Sequence, residues 1–160
     1  MNEVLTQHVC SAEHSQDMVR LIFGPHSVQM YYQTAFEIAA SILQASKLSA
    51  RFEGVHPSVW SDILKKAQQE PFEPLSPFFR RGTQQPNFTD WSIGFERNLV
   101  VFKFDTAIIK LHYSNAFEFY SWVRLAGKNA KRWAGDKGRQ WTTRANLQDA
   151  EDNDKFVYAP

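Results

Sequence analysis

Three groups of side chains in this 160-residue chain could do chemistry. The first is His8, Cys10 and His14, whose thiolate and imidazole nitrogens are zinc donors. Their spacing fits no closed structural site and no fourth ligand follows, so no metal is assigned. The second is His112 with Asp105 and Glu118, an acid/base grouping in outline. Strand alternation puts His112 with Lys110 on the face opposite Leu111, toward solvent. A nucleophile elbow, a P-loop and a dinucleotide glycine pattern are all absent, and seven glycines leave little room for a phosphate cradle. No catalytic residue and no cofactor is assigned, and an enzyme ranks below a binding protein.

The third group is a basic run with interleaved tryptophans. Arg124, Lys128, Lys131, Arg132, Lys137, Arg139 and Arg144 fall between Trp122 and Arg144, with Trp133 and Trp141 among them and Asp136 the one acid. Guanidinium and ammonium groups neutralise phosphates, and exposed indoles stack on unpaired bases. The combination points to single-stranded nucleic acid or a nucleoprotein rather than to duplex reading, since no helix-turn-helix, zinc finger or RNP pattern is present. The competing reading is a solvated helix face with its tryptophans in the core. A second surface is Phe78, Phe79, Arg80 and Arg81 in a proline-rich connection, an aromatic and arginine composition favoured at protein contacts. It supports the alternative of a protein–protein module or inhibitor, of the kind a mobile element encodes.

The elements that must carry these groups begin with Trp91–Arg144. Trp91, Ile93 and Phe95 alternate with polar or small residues. So do Val100, Phe102 and Phe104, and then Ala107, Ile109, Leu111 and Tyr113. A three-stranded antiparallel meander follows, with turns at Arg97-Asn98, where Asn98 tolerates positive φ, and at Asp105-Thr106. The alternative is one bulged strand from Leu99 to Tyr113. Ser114 is the expected N-cap of a helix from Asn115 to about Ala134, with Ala116, Tyr120, Val123, Gly127, Ala130 and Ala134 toward the sheet and Gly135 closing it.

Upstream, residues 1–11 are ambiguous and Ser11–Asp17 reads as a loop. Met18–Phe23 reads as a central strand, stopped by Gly24-Pro25. Ser27 is the next expected N-cap, for a helix from Val28 to about Leu48. Pro57 opens a second helix that runs to Glu70. Residues 71–90 hold four of the seven prolines and form a long irregular connection. No internal repeat and no low-complexity tract is visible.

Net charge is +1, but its distribution is uneven: −2 over residues 1–90, +6 over 91–144 and −3 over 145–160. The acidic tail could mask the basic run. A lone cysteine excludes an intrachain disulfide framework. The absence of a signal-peptide pattern or a bilayer-length apolar run predicts a cytoplasmic chain without a membrane contact. The expected fold is α+β: a mainly antiparallel sheet of about four strands, including the meander over 91–113, packed against two or three helices. One domain is expected over residues 1–145, with a tail over 146–160. Surplus aromatic residues and open strand edges make a homodimer a further expectation.

Overall fold

The computed structural model of the protein describes residues 10–69 and 85–139. Six strands form two separate three-stranded antiparallel sheets, accompanied by three helices. The first sheet has the order β1 (Cys10–Ser15), β2 (Met18–Phe23), β3 (His26–Tyr31). Helix α1 (Tyr32–Phe52) leaves it directly, and α2 (Pro57–Gln69) follows. The second sheet has the order β4 (Trp91–Glu96), β5 (Leu99–Phe104), β6 (Ala107–His112), and α3 (Tyr113–Arg139) leaves it in the same way. The α+β class and the antiparallel sheets packed on helices hold. The strands number six in two sheets, because β1 and β3 add to those the alternation pattern marks.

The second half repeats the first at an offset of 81 residues, from Cys10 to Trp91 through Tyr32 to Tyr113. Strand lengths, turns and register coincide: Cys10 pairs with Phe23 as Trp91 pairs with Phe104. The turn residues Gln16 and Arg97 both sit at φ 56°, and Gly24 (61°) matches Asp105 (53°). Each helix starts with the same bond: Tyr32 N–H donates to Asp17 O at 3.1 Å, and Tyr113 N–H to Asn98 O at 3.0 Å. In sequence the clearest trace is Tyr-x-x-Ala-Phe-Glu, at Tyr32–Glu37 and again at Tyr113–Glu118. The chain therefore does contain an internal repeat.

Several expected boundaries move. Ser11–Ser15 is strand rather than loop, with Ala12 and Glu13 buried. The stretch that begins the expected first helix, Val28–Tyr31, is β3: Val28 and Met30 face the core while Ser27 and Tyr31 are exposed. The positive φ of the first turn in the second sheet belongs to Arg97 rather than Asn98. Two residues, Asp105 and Thr106, separate β5 from β6, so the single bulged strand is excluded. Helix α3 runs through Gly135, whereas the equivalent Gly54, at φ 74°, stands just past the end of α1.

Ser114 lies inside α3, and the capping group is His112. Its Nδ1 accepts the Ser114 N–H at 3.2 Å and lies 2.8 Å from Ser114 Oγ. His56 does the same for α2 through Ser58 (3.1 and 2.9 Å). Both imidazoles satisfy an otherwise orphan first-turn amide.

The helices are exchanged between the sheets. Helix α3 packs chiefly along β1 and β2, α1 chiefly along β4 and β5, and the two helices lie on each other. Gly127 allows that approach, since a Cβ there would meet the Phe36 ring at 3.2 Å. The inner faces of both sheets and the two helices enclose one core. Phe23 is central to it, with ring centroids 5.1 to 5.9 Å from those of Phe102, Phe104 and Phe119. Helix α2 packs on α3, where Trp60 stacks on Phe117 at 5.6 Å and Lys47 lies over the Trp60 ring at 5.3 Å.

Candidate functional site

The two halves share a backbone plan, so a site can be sought where their side chains differ. Two of these differences converge on β4. At the outer face of the first sheet Glu13 stands opposite Arg20, with Oε1 and Nε 2.8 Å apart and the carboxylate side chain 3% exposed. The corresponding pair in the second sheet is Gly94 opposite Val101. Nothing lies within 4 Å of where a Gly94 Cβ would be. With Ser92 as its neighbour on this face, Gly94 floors an open groove of about 540 Å³, walled by Val101, Lys103, Ile108 and Lys110.

The second difference is on the helices. Position 122 of α3 is a tryptophan that packs against the core, and its counterpart on α1 is Ser41. Around Ser41 the residues Ala40, Gln44, Ala45 and Leu48 recur at helical spacing, so one face of α1 is low. Between that face and β4 runs a second groove of about 270 Å³, closed on the strand side by Ile93, Gly94 and Phe95.

Strand β4 is thus an edge strand with a depression on each side. The two-residue turn makes Glu96 and Leu99 a hydrogen-bonded pair. Antiparallel alternation then points the main-chain groups of Ile93 and Phe95 away from β5. Among the described residues nothing pairs with them. The outer edge of β3 shows the contrast. There Gln29 N–H donates to Asn87 Oδ1 at 2.7 Å, Asn87 Nδ2 donates to Ser27 O at 3.1 Å, and Gln29 Nε2 donates to Gln85 O at 3.0 Å. An extended piece of this chain already covers that edge.

The β4 hairpin is held in place by polar contacts at both ends. Buried Ser49 of α1 donates to Arg97 O at 2.7 Å, which fixes the turn on the helix. The Asp105 carboxylate accepts Thr89 N–H (3.1 Å) and Asp90 N–H (2.9 Å), and Asp105 N–H donates to Asp90 O (2.9 Å). At the turn end Phe52 (63% exposed) and Phe95 (39%) have ring centroids 6.2 Å apart, an apolar pair open to solvent. In the outer groove Lys110 Nζ donates to Glu96 Oε2 at 3.0 Å and holds that carboxyl below the usual range.

Arg124, Lys128, Lys131 and Trp133 are half-buried on α3 and Arg132 is exposed; all five already interact with neighbouring groups. Trp122 and Trp91 pack against the core. Lys137 and Arg139 fall in the last turn of α3, while Phe78, Phe79, Arg80, Arg81, Trp141, Arg144 and the acidic tail lie outside the described residues. Cys10 is buried in β1, which pushes its thiol up to about 12, and His14 is half-buried; His8 lies outside the described residues. Among the described residues no three His, Cys, Asp or Glu side chains cluster to hold a metal, and no helix is long and apolar enough to cross a membrane.

No protein-family model, curated protein or solved structure matches this chain.

Proposed function

We propose that the protein is an interaction module that captures an extended segment of a partner protein by strand addition to β4. The carrying observation is the asymmetry of the repeat: Gly94 and Ser41 line grooves on both sides of β4, where the first half has the Glu13–Arg20 pair and α3 has Trp122 at the equivalent positions. An incoming strand satisfies the main-chain groups of Ile93 and Phe95, and its alternate side chains enter the two grooves. The exposed Phe52–Phe95 pair offers an aromatic anchor at one end. The β6 edge is a weaker candidate, because it borders only the outer groove.

The test is selection of random peptides on phage against the wild-type chain, with Gly94→Val and Ser41→Trp as counter-targets. The valine side chain enters open space in a strand, and the tryptophan repeats what α3 carries, so both variants are expected to fold. Clones enriched on the wild type and rejected by the variants support the reading. Equal enrichment on all three, or none, refutes it.

Capture of single-stranded nucleic acid through Arg124, Lys128, Lys131, Arg132, Trp133 and the residues beyond ranks second. Those cations share one helix, yet the described ones are already engaged. Anisotropy with labelled single-stranded DNA across a salt series is expected to show only non-specific affinity, about 10⁻⁴ M or weaker at physiological salt. Tight, salt-steep binding abolished by Lys131→Glu/Arg132→Glu would move the function to α3.

A further inference from the structure

We infer that the segment captured at β4 alternates acidic with small apolar side chains, the acids entering the outer groove and the apolar groups facing α1. This rests on the strand-addition reading and adds the chemistry of the ligand. The two grooves differ in charge. The one on the α1 side is lined by Ala40, Ser41, Gln44, Ala45, Leu48 and Ile93, with no charged group. Only side chains without charge enter it at no desolvation cost. The outer groove holds Lys103, Lys110 and Glu96. Glu96 is taken up by Lys110 at 3.0 Å. Lys103 is exposed on β5, opposite Ser92, and has no ion-pair partner among the described residues. Two lysines and one carboxylate leave the groove with a net positive charge, and Lys103 is the cation that Glu96 does not hydrogen-bond.

The geometry lets an incoming side chain reach it. A strand added to β4 lies about 4.8 Å from it and about 9.6 Å from β5. Ser92 and Gly94 raise no wall in that interval. A Glu side chain laid over Gly94 and the four-carbon stem of Lys103 span it from opposite sides. The apolar Val101 and Ile108 side chains that line the groove strengthen the pairing relative to open solvent. Because side chains alternate across a strand, acid at one position and small apolar residue at the next follow from a single docked segment.

Fluorescein-labelled peptides of about ten residues, long enough for one strand, test this on the full chain: alternating Val-Glu, Val-Ser and Val-Lys. Anisotropy is read at roughly 0.05 and 0.5 M salt, where screening lengths differ about threefold. The Val-Glu peptide is expected to bind at least about tenfold more tightly than Val-Lys, a difference of about 1.4 kcal/mol. That advantage shrinks in high salt and is lost in Lys103→Glu. Circular dichroism confirms that the exposed Lys103→Glu variant is folded. If all three peptides bind equally and all are lost in Ser41→Trp, the acidic preference is refuted and strand capture stands. If none binds, both fail. If the protein instead self-associates in sedimentation and Gly94→Val abolishes that, the occupant is a second copy and the acidic-peptide inference is overturned.

Discussion

The Glu13–Arg20 pair is the sharpest test of how the two halves differ. Glu13 is 2% exposed, and the Arg20 side chain 15%. Nε lies 2.8 Å from Oε1, but the two atoms lack hydrogen-bond alignment, so the attraction between them is chiefly coulombic. Glu13→Ala removes the carboxylate 2.8 Å from the largely buried Arg20 side chain. Breaking such pairs costs about 3–5 kcal/mol. The residual exposure of Arg20, which lets its guanidinium relax toward water, places the expected loss near the lower end, about 3 kcal/mol. For a chain of this size each kcal/mol lowers Tm by about 2–4 °C, so a fall of about 6–12 °C is expected. The decisive variant is Glu13→Gly/Arg20→Val, which installs the residues of Gly94 and Val101 in the first half. Removing both charges together avoids burying either without this partner, so urea denaturation is expected to show the double variant losing less stability than the sum of Glu13→Gly and Arg20→Val. Additive losses in that cycle would refute the pairing argument. The double variant is also expected to open a second outer groove, visible as weak added capacity for the peptides that bind β4.

Three further outcomes follow from the contacts described. Ser49→Ala removes the bond to Arg97 O, with an expected cost of about 1–2 kcal/mol and faster hydrogen exchange in the 94–99 hairpin, while unchanged exchange there would show that the turn is held by other contacts. Cys10, with its thiol pushed up to about 12, is protonated at neutral pH and is expected to react with a thiol reagent only after unfolding. The linkage sign follows: between the unfolded value near 9 and about 12 the unfolded state sheds a proton that the native state keeps, so stability falls as pH rises through that window, and Cys10→Ala is expected to flatten the fall. Glu96, lowered by its hydrogen bond and attraction to Lys110, contributes stability that is present above the unfolded carboxylate value and lost as pH falls through the folded one. Its exposure keeps that contribution small, so the readout is an NMR titration of the Glu96 carboxyl, expected to move up toward the ordinary range in Lys110→Met.

The second sheet was legible because its alternation is clean: Val100, Phe102, Phe104, Ile109 and Leu111 are the buried residues, with Lys103 and Lys110 on the other face. The first sheet hid behind two exceptions. Glu13 and His14 look like loop residues, and burial of Glu13 depends on Arg20, which arrives only when β1 and β2 pair. Val28 and Tyr31 stand at helical spacing, so β3 merged with α1 until the partners of Met18–Phe23 became visible. The repeat was hidden for a related reason: its backbone agrees throughout, while its side chains agree mainly at Tyr-x-x-Ala-Phe-Glu. The candidate site was not legible, because it consists of missing bulk at Ser41, Ser92 and Gly94, and small residues far apart in sequence announce nothing until α1 is laid along β4. The basic run of α3 was legible as a pattern, and Trp122 beside it packs against the core.

The exchange of helices between the sheets bears on how the chain is made. When β1–β3 and α1 have left the ribosome, the sheet they form lacks the helix that covers it, and α1 lacks the strands it will cover. The second gap closes only once β4 and β5 have been made, and the first only when α3, the last described element, has been synthesised. The core contacts between helices and sheets therefore join segments about 40 to 130 residues apart, the arrangement that slows folding and prolongs exposure of apolar strands. It also means that the two halves, expressed as separate chains, are each other's missing cover and are expected to assemble only together.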